Sequence, residues 1–138
     1  MISYVGVAHP WMCDVMGHLN VRHYAAMFDD ASFHLLGRVA DPLEDAAGAK
    51  GWADVRCEID FKAETLSGTL LTIRSHVEKV GTSSMTYVHV MTGTLDGLVH
   101  AQARIVSVRF DLAARQKLAL DQIARARAET LISPPPAT

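Results

Sequence analysis

Residues 52–62 of the chain, WADVRCEIDFK, alternate strictly between apolar and charged side chains after the first tryptophan. A period of two places successive side chains on opposite faces of an extended chain, so this stretch is predicted to be a β-strand. One apolar face and one charged face are typical of an antiparallel sheet that buries a single face. The predicted buried face consists of Ala53, Val55, Cys57, Ile59 and Phe61.

Three further strand-like segments follow, near residues 69–80, 83–94 and 98–110. The last two are separated by Leu95-Asp96-Gly97, which carries the Asp-Gly signal of a β-hairpin. In the final segment Ala101 and Ala103 share a face. Their small side chains are expected to let a helix lie close to the sheet.

The segment before these strands predicts a helix, because apolar residues recur at helical spacing from Tyr24 to Val39. Asn20 is the predicted N-cap, and Gly37 with Asp41-Pro42 is predicted to mark the end. The opposite side of the helix is also largely apolar, so we expect other structure to cover it. That side contains Ala25, Ala26, Phe33 and Leu36.

The two ends of the chain complete the predicted domain. Residues 2–8 read as a short strand, residues 119–131 as a short helix capped by Asp121, and residues 133–138 as a flexible proline-rich tail. Residues 1–132 are therefore predicted to form one α+β domain with a helix against an antiparallel sheet. Such a sheet has open edges, for which oligomerisation is a simple remedy.

Composition narrows the functional class. The 138 residues are 49% apolar and 20% charged, with a formal charge of -2 and no basic face, so we expect no nucleic-acid partner. No apolar run approaches the roughly 20 residues that a membrane span needs, and the N-terminus lacks the pattern of a signal peptide. Cys13 and Cys57 form no CxxC motif, so reduced thiols and a cytoplasmic location are expected.

Polar groups crowd the predicted helix entrance, where residues 13–24 read CDVMGHLNVRHY. A helix start offers unpaired N–H groups, glycine allows close backbone approach, and Asp14 and His18 offer a base. A purely structural role stays open for each residue: Asp14 as a turn cap, His18 as a hydrogen-bonded loop residue, Asn20 as a helix cap and Tyr24 as a packing residue. No Cys/His or HExxH framework accompanies Asp14, His18 and His23, so no metal site is expected.

The pattern Asp14-x-x-Gly17-His18-x-Asn20-x-x-x-Tyr24 before a long helix resembles the hotdog-fold acyl-CoA thioesterases of the 4-hydroxybenzoyl-CoA thioesterase type, in the branch that carries D-x-x-G-H-x-N. The likeness runs from about Ser3 to Asp111, with a weaker echo at residues 66–70, LSGTL. The resemblance implies an antiparallel sheet wrapped around a long central helix. It also implies a homodimer with one continuous sheet, or a dimer of such dimers.

The resemblance further implies an acyl-CoA thioesterase that needs no cofactor. Asp14 would attack the thioester carbonyl or activate a water, and backbone N–H groups near Gly17 and His18 would polarise the carbonyl oxygen. Asn20 and Tyr24 match family positions near the substrate. Two positions depart from relatives: His23 stands where many of them carry asparagine, and Met16 stands where the plant acyl-carrier-protein relatives carry asparagine.

The substrate end is less defined by the motif. Ser83 and Ser84 lie where relatives begin the strand near the pantetheine channel. The expected substrate is an acyl-CoA or an acyl group carried on an acyl-carrier protein. Asp29 or Asp30 is a candidate for selecting a polar or cationic acyl group, with Trp11 or Trp52 as the cation–π partner.

Two other functions stay open. Hotdog hydratases share the fold, but their D-x-N-P-x-H motif is absent here; the third option is a noncatalytic acyl-binding protein.

Overall fold

The computed structural model describes residues 1–133, so most of the predicted tail, residues 134–138, lies outside the described residues. The described chain contains three α-helices, six strands and a single 3-10 turn at Pro10–Met12. The helices and strands are, in chain order, β1 (Ile2–Val7), α1 (Val21–Val39), α2 (Pro42–Ala47), β2 (Lys50–Phe61), β3 (Leu70–Val80), β4 (Ser84–Gly93), β5 (Val99–Asp111), β6 (Gln116–Lys117) and α3 (Gln122–Thr130).

The strands form one six-stranded sheet in the order β1-β3-β4-β5-β2, with β6 paired to β5. Strand β1 pairs antiparallel with β3, in a register that places Val5 opposite Thr72. The predicted Asp-Gly turn joins β4 to β5: Gly97 has φ +72°, and the Asp96 carboxylate accepts the Leu98 N–H at 2.9 Å. The alternating segments of the sequence are therefore confirmed as strands.

Two short elements were not predicted, α2 and β6. Helix α1 ends at Val39, between Gly37 and Asp41-Pro42, so the predicted end is confirmed. Asp41 also caps α2 by accepting the Leu43 N–H at 2.8 Å. Six residues of α2 and two of β6 are too few for a period to be visible. The predicted caps Asn20 and Asp121 are confirmed, since they accept the N–H groups of Arg22 at 3.1 Å and Ala124 at 2.8 Å.

The prediction that β2 buries one face is wrong for much of the strand. Val55 is 62% and Phe61 51% exposed, and Cys57 is exposed as well. Strand β2 is last in the sheet order; its Ile59 is partly buried against the core, while the fully buried partners of α1 come from β3, β4 and β5. The alternation shows which face of β2 is apolar. In the described residues, little other structure packs against that face.

The contacts of the chain divide it into two compact units. The first comprises residues 1–34, 58–75 and 89–103, and the second comprises residues 35–57, 76–88 and the chain from Arg104 onward. In the first unit Ala101 and Ala103 are fully buried against α1, as their size predicted. The core of this unit consists of Ala8, Leu19, Tyr24, Met27, Phe28, Ala31, Leu71, Ile73, Met91, Ala101 and Ala103.

A chain of hydroxyl groups holds the fully buried His89 in the first unit. Its Nε2 lies 2.8 Å from the Ser32 hydroxyl, which donates to the Phe28 carbonyl, and its Nδ1 lies 2.5 Å from the Ser75 hydroxyl. Because Ser32 donates its own proton to a carbonyl, Nε2–H of His89 is assigned as the donor to Ser32. His89 is therefore a core residue with both ring nitrogens hydrogen-bonded.

Candidate active site

The entrance to α1 is a tight hairpin. The Asp14 N–H donates to the His18 carbonyl at 3.0 Å, the Gly17 N–H donates to the Asp14 carbonyl at 3.0 Å, and Cys13 pairs with Leu19 as a bridge. Gly17 has φ +77°, a left-handed conformation that glycine adopts without strain. The motif residues from Asp14 to Gly17 therefore form a turn that places them at an exposed tip.

Asp14 is exposed, and one of its carboxylate oxygens accepts the Met16 N–H at 2.9 Å. Asp14 therefore does cap its turn. Its second carboxylate oxygen has no hydrogen-bond partner among the described residues. The carboxylate lines a cavity of about 510 Å³, which leaves it accessible to a ligand. The other residues of this cavity are Trp11, Met12, Cys13, Val15, Asn20, Arg22 and His23.

The backbone donors near Asp14 differ in their availability. The Gly17 N–H is used by the turn, and the Arg22 N–H by Asn20. The His18 N–H and the Val21 N–H, at the first residue of α1, donate to no acceptor among residues 1–133. These two groups are therefore the free donors at the helix start.

The side chain of His18 contacts Glu64 and not Asp14. Its Nε2 lies 3.3 Å from the Glu64 carboxylate, and both residues line a cavity of about 320 Å³ that does not include Asp14. The remaining residues of this second cavity are Leu19, Val21, Tyr24, Phe61, Lys62, Ala63 and Thr65. No side-chain contact between His18 and Asp14 is present among the described residues.

Tyr24 is buried below this second cavity. Its hydroxyl donates to the Thr65 hydroxyl at 2.7 Å, and its ring meets Phe61 edge to face with centroids 5.1 Å apart. Burial raises the pKa of the Tyr24 phenol, the hydrogen bond to Thr65 lowers it, and nearby Cys13 raises it, for a net upward shift. Tyr24 thus combines packing with a polar contact under the site.

We expect Tyr24→Phe to lower the free energy of unfolding by about 1 kcal/mol at neutral pH, since Thr65 loses a buried donor. The raised pKa adds a pH effect. Above about pH 10 the unfolded chain loses its phenolic proton first, so the wild type loses stability as pH rises and the variant loses less. Urea unfolding at several pH values from 8 to 11 measures both; equal slopes for the two proteins would contradict the pH effect.

The other predicted binding residues, Trp52, Ser83 and Ser84, belong to the second unit. The Arg109 guanidinium lies 5.0 Å from the centroid of the Trp52 ring, so that face already has a cation, and the Trp52 Nε1–H is buried without a described partner. The Ser83 carbonyl accepts the Arg109 N–H at 2.7 Å, and the Ser84 carbonyl accepts the Gly81 N–H at 2.7 Å. These contacts give Trp52, Ser83 and Ser84 a structural role within the second unit. A role of these residues in substrate binding stays a prediction.

Sequence reasoning missed Glu64 and Thr65. They lie in the connection between β2 and β3, where no period or motif marks individual residues, so no signal was available. Among residues 1–133 the structure contains no group of three His, Cys, Asp or Glu residues that is able to hold a metal ion. Within the same residues, no helix is both long and apolar enough to cross a membrane.

Residues 8–131 match the family model of the thioesterase-like superfamily. Among solved structures, YbaW, a probable thioesterase from Escherichia coli, is 23% identical with a TM-score of 0.83, covering 96% of this chain and 100% of that chain. A 1,4-dihydroxy-2-naphthoyl-CoA thioesterase from Synechocystis is 19% identical with a TM-score of 0.80. The match covers 95% of this chain and 97% of that chain.

A Staphylococcus aureus protein solved in complex with CoA is 10% identical with a TM-score of 0.89, covering 100% of this chain and 90% of that chain. At these identities the solved structures show a common fold: an antiparallel sheet with a helix, consistent with the hotdog fold. The curated proteins give no match.

Proposed function

The chain belongs to the thioesterase-like superfamily, and from that premise we propose that it is an acyl-CoA thioesterase, which hydrolyses a thioester to a free acid and CoA. One observation carries the proposal. An exposed aspartate with a free carboxylate oxygen lies on a tight turn that is followed by two free N–H groups, those of His18 and of Val21, the first residue of α1. Thioester hydrolysis needs this pair of functions, a nucleophile or base and a donor for the oxyanion.

The oxyanion donors in this proposal are the N–H groups of His18 and Val21. The earlier expectation named the backbone near Gly17 and His18, but the Gly17 N–H already donates to the Asp14 carbonyl. The N-terminus of the 19-residue α1 adds positive dipole character, which favours a developing negative charge. A preorganised donor of this kind contributes roughly 2.7–4 kcal/mol in other acyl-transfer enzymes.

Asp14 has two possible parts in the reaction. As nucleophile, its free oxygen bonds to the thioester carbon, and the C–S bond breaks to release the CoA thiolate. As base, it takes a proton from a water whose oxygen makes the same attack. A thiol has a pKa near 8.5, so the thiolate leaves without an acid to protonate it.

We further propose that the protein acts as a homodimer. Strand β2 ends the sheet order, and Val55, Cys57 and Phe61 of its apolar face are exposed. An open, apolar edge strand favours pairing with another strand. Pairing of two β2 strands would supply the continuous sheet that the family resemblance implies.

The function is tested by following thiol release from a panel of short, branched, aromatic and cationic acyl-CoAs. We expect hydrolysis of at least one member by the purified dimer. The same acyl groups on pantetheine, without the nucleotide, show whether CoA itself or only the phosphopantetheine arm of a carrier protein is recognised. A folded dimer that releases no thiol from either series would contradict the proposal and favour a binding role.

A further inference from the structure

The cavity of about 510 Å³ beside Asp14 also contains an arginine, Arg22. Among the described residues that line this cavity, Asp14 is the only carboxylate and Arg22 is the only lysine or arginine. The two side chains form neither an ion pair nor a hydrogen bond with each other. The carboxylate proposed to react therefore shares its cavity with a cation that it does not neutralise.

Asn20 orients the Arg22 side chain at this cavity. The side-chain oxygen of Asn20 accepts the Arg22 N–H at 3.1 Å and the Arg22 Nε–H at 3.4 Å. Asn20 is itself fixed, because its N–H donates to the Met12 carbonyl at 2.9 Å and its carbonyl accepts the His23 N–H at 2.9 Å. The terminal nitrogens of Arg22 have no acceptor among the described residues, so their N–H groups are available to a ligand.

The stability of α1 does not account for Arg22. It is the second residue of this helix, whose first turn contains no acidic residue. A helix start carries partial positive charge, so a cation placed there is electrostatically unfavourable. The side chain is also exposed and forms no ion pair among the described residues. Its place in the cavity of Asp14 is better explained by a negatively charged ligand.

The same cavity has one aromatic wall, Trp11, which is 70% exposed. The His9 ring is stacked parallel to the Trp11 ring with centroids 6.2 Å apart, and the His23 ring meets it edge to face with centroids 5.4 Å apart. These two contacts hold an exposed indole in place, against which the hydrocarbon part of a ligand is able to pack. The cavity therefore offers a cation and an apolar surface to a group whose thioester lies at Asp14.

Resting on the proposed function, we infer that Arg22 is a specificity-determining residue: it binds a negatively charged group of the substrate, and the geometry points to the free carboxylate of a dicarboxylic acyl group. Such a carboxylate is only a short hydrocarbon chain away from the thioester that Asp14 attacks, so one cavity is able to hold both ends. The phosphates of CoA, in contrast, are separated from the thioester by the whole pantetheine arm. Asp14 repels a second carboxylate, and the planar guanidinium of Arg22 offsets that repulsion by pairing with it.

Two carboxylates predicted to select the acyl group lie elsewhere. Asp29 and Asp30 are exposed residues of α1, and neither is among the residues that line the cavity of Asp14. Within this cavity the choice between anionic and neutral acyl groups therefore depends on Arg22. A role of the two aspartates in substrate selection stays a prediction.

The test compares the wild type with Arg22→Gln and Arg22→Lys on two pairs of thioesters, adipoyl-CoA with hexanoyl-CoA and pimeloyl-CoA with heptanoyl-CoA. In each pair the first member has a carboxylate where the second has a methyl group. We expect the wild type to have the higher kcat/KM for the carboxylated member. Arg22→Gln should reduce this preference roughly 10–100-fold, the loss expected for one charge-assisted contact. Arg22→Lys keeps the charge without the planar fork, so it should keep part of the preference.

Arg38→Gln is the matched control, since Arg38 is an exposed arginine of the same helix that does not line the cavity, and it should keep the full preference. The same acyl groups on pantetheine, which has no phosphate, identify the anion that Arg22 binds. We expect the preference, and its loss in Arg22→Gln, in this series as well. If Arg22→Gln weakens both members of each CoA pair alike and leaves the pantetheine esters unchanged, Arg22 binds a phosphate and the assignment to the acyl carboxylate is overturned.

Two further results would overturn the inference while the thioesterase function stands: a wild type that does not distinguish the members of a pair, or a preference that survives Arg22→Gln. A wild type that releases no thiol from any ester contradicts the proposed function itself. Calorimetric binding of adipoyl-CoA and hexanoyl-CoA then still tests Arg22. Weaker binding of adipoyl-CoA alone by Arg22→Gln would support its role, and equal affinities of the two proteins for adipoyl-CoA would refute it.

Discussion

Asp14→Asn is expected to lower thioester turnover by at least about a hundredfold, because a positioned carboxylate contributes roughly 10²–10⁴ as a base and an amide oxygen is a far weaker base and nucleophile. The turn itself should survive, since the amide oxygen of asparagine still accepts the Met16 N–H that Asp14 accepts at 2.9 Å. We therefore expect a large fall in kcat with little change in stability. Thiol release and denaturant unfolding of the same preparation measure the two quantities.

Asp96→Asn is a closely matched control within the same unit. Asp96 is also an exposed turn aspartate whose carboxylate accepts an N–H two residues ahead, from Leu98 at 2.9 Å. If the carboxylate of Asp14 serves only to cap its turn, the two substitutions will have equally small effects. A fall in turnover confined to Asp14→Asn supports catalysis; unchanged turnover in both would return Asp14 to the role of a cap.

The strands and the principal helix were predictable because their signal is local. Strict alternation in residues 52–62 and helical spacing from Tyr24 onward each follow from the geometry of one element. The cap assignments of Asn20 and Asp121 succeeded for the same reason, since a cap bonds to an N–H within three residues. The alternative of Asp14 as a turn cap also rested on a local signal, and Asp14 does accept an N–H two residues ahead.

The remainder depends on contacts between distant residues, which periodicity does not report. The apolar face of β2 is exposed because burial depends on what covers a strand, and its alternation records only its polarity. The side chain of His18 contacts Glu64, which lies 46 positions later in the chain, so the motif around His18 had no means to indicate it. The same holds for the Tyr24–Thr65 hydrogen bond, which neither the helical spacing nor the motif was able to indicate.

The second unit contains the contact whose loss should affect stability most. Arg109 and Asp45 are 6% and 9% exposed, and the two guanidinium nitrogens meet the two carboxylate oxygens at 2.6 Å each. Such a paired geometry satisfies both charges, and the Trp52 ring packs against the guanidinium. Asp45→Ala leaves that cation buried without its partner. We expect it to lower the free energy of unfolding by about 3–5 kcal/mol, measured by urea denaturation.

An exposed pair in the same unit supplies the comparison. Arg104 bonds to Glu78 with side chains 53% and 38% exposed, and Glu78→Ala should cost less than about 1 kcal/mol because water solvates the remaining arginine. The double variant Asp45→Leu, Arg109→Met should recover much of the loss, since it removes the buried charge together with its partner. Equal costs for Asp45→Ala and Glu78→Ala would show that Arg109 regains solvent when Asp45 is lost. The α2 segment, which contains Asp45, would then be the part of this unit that opens.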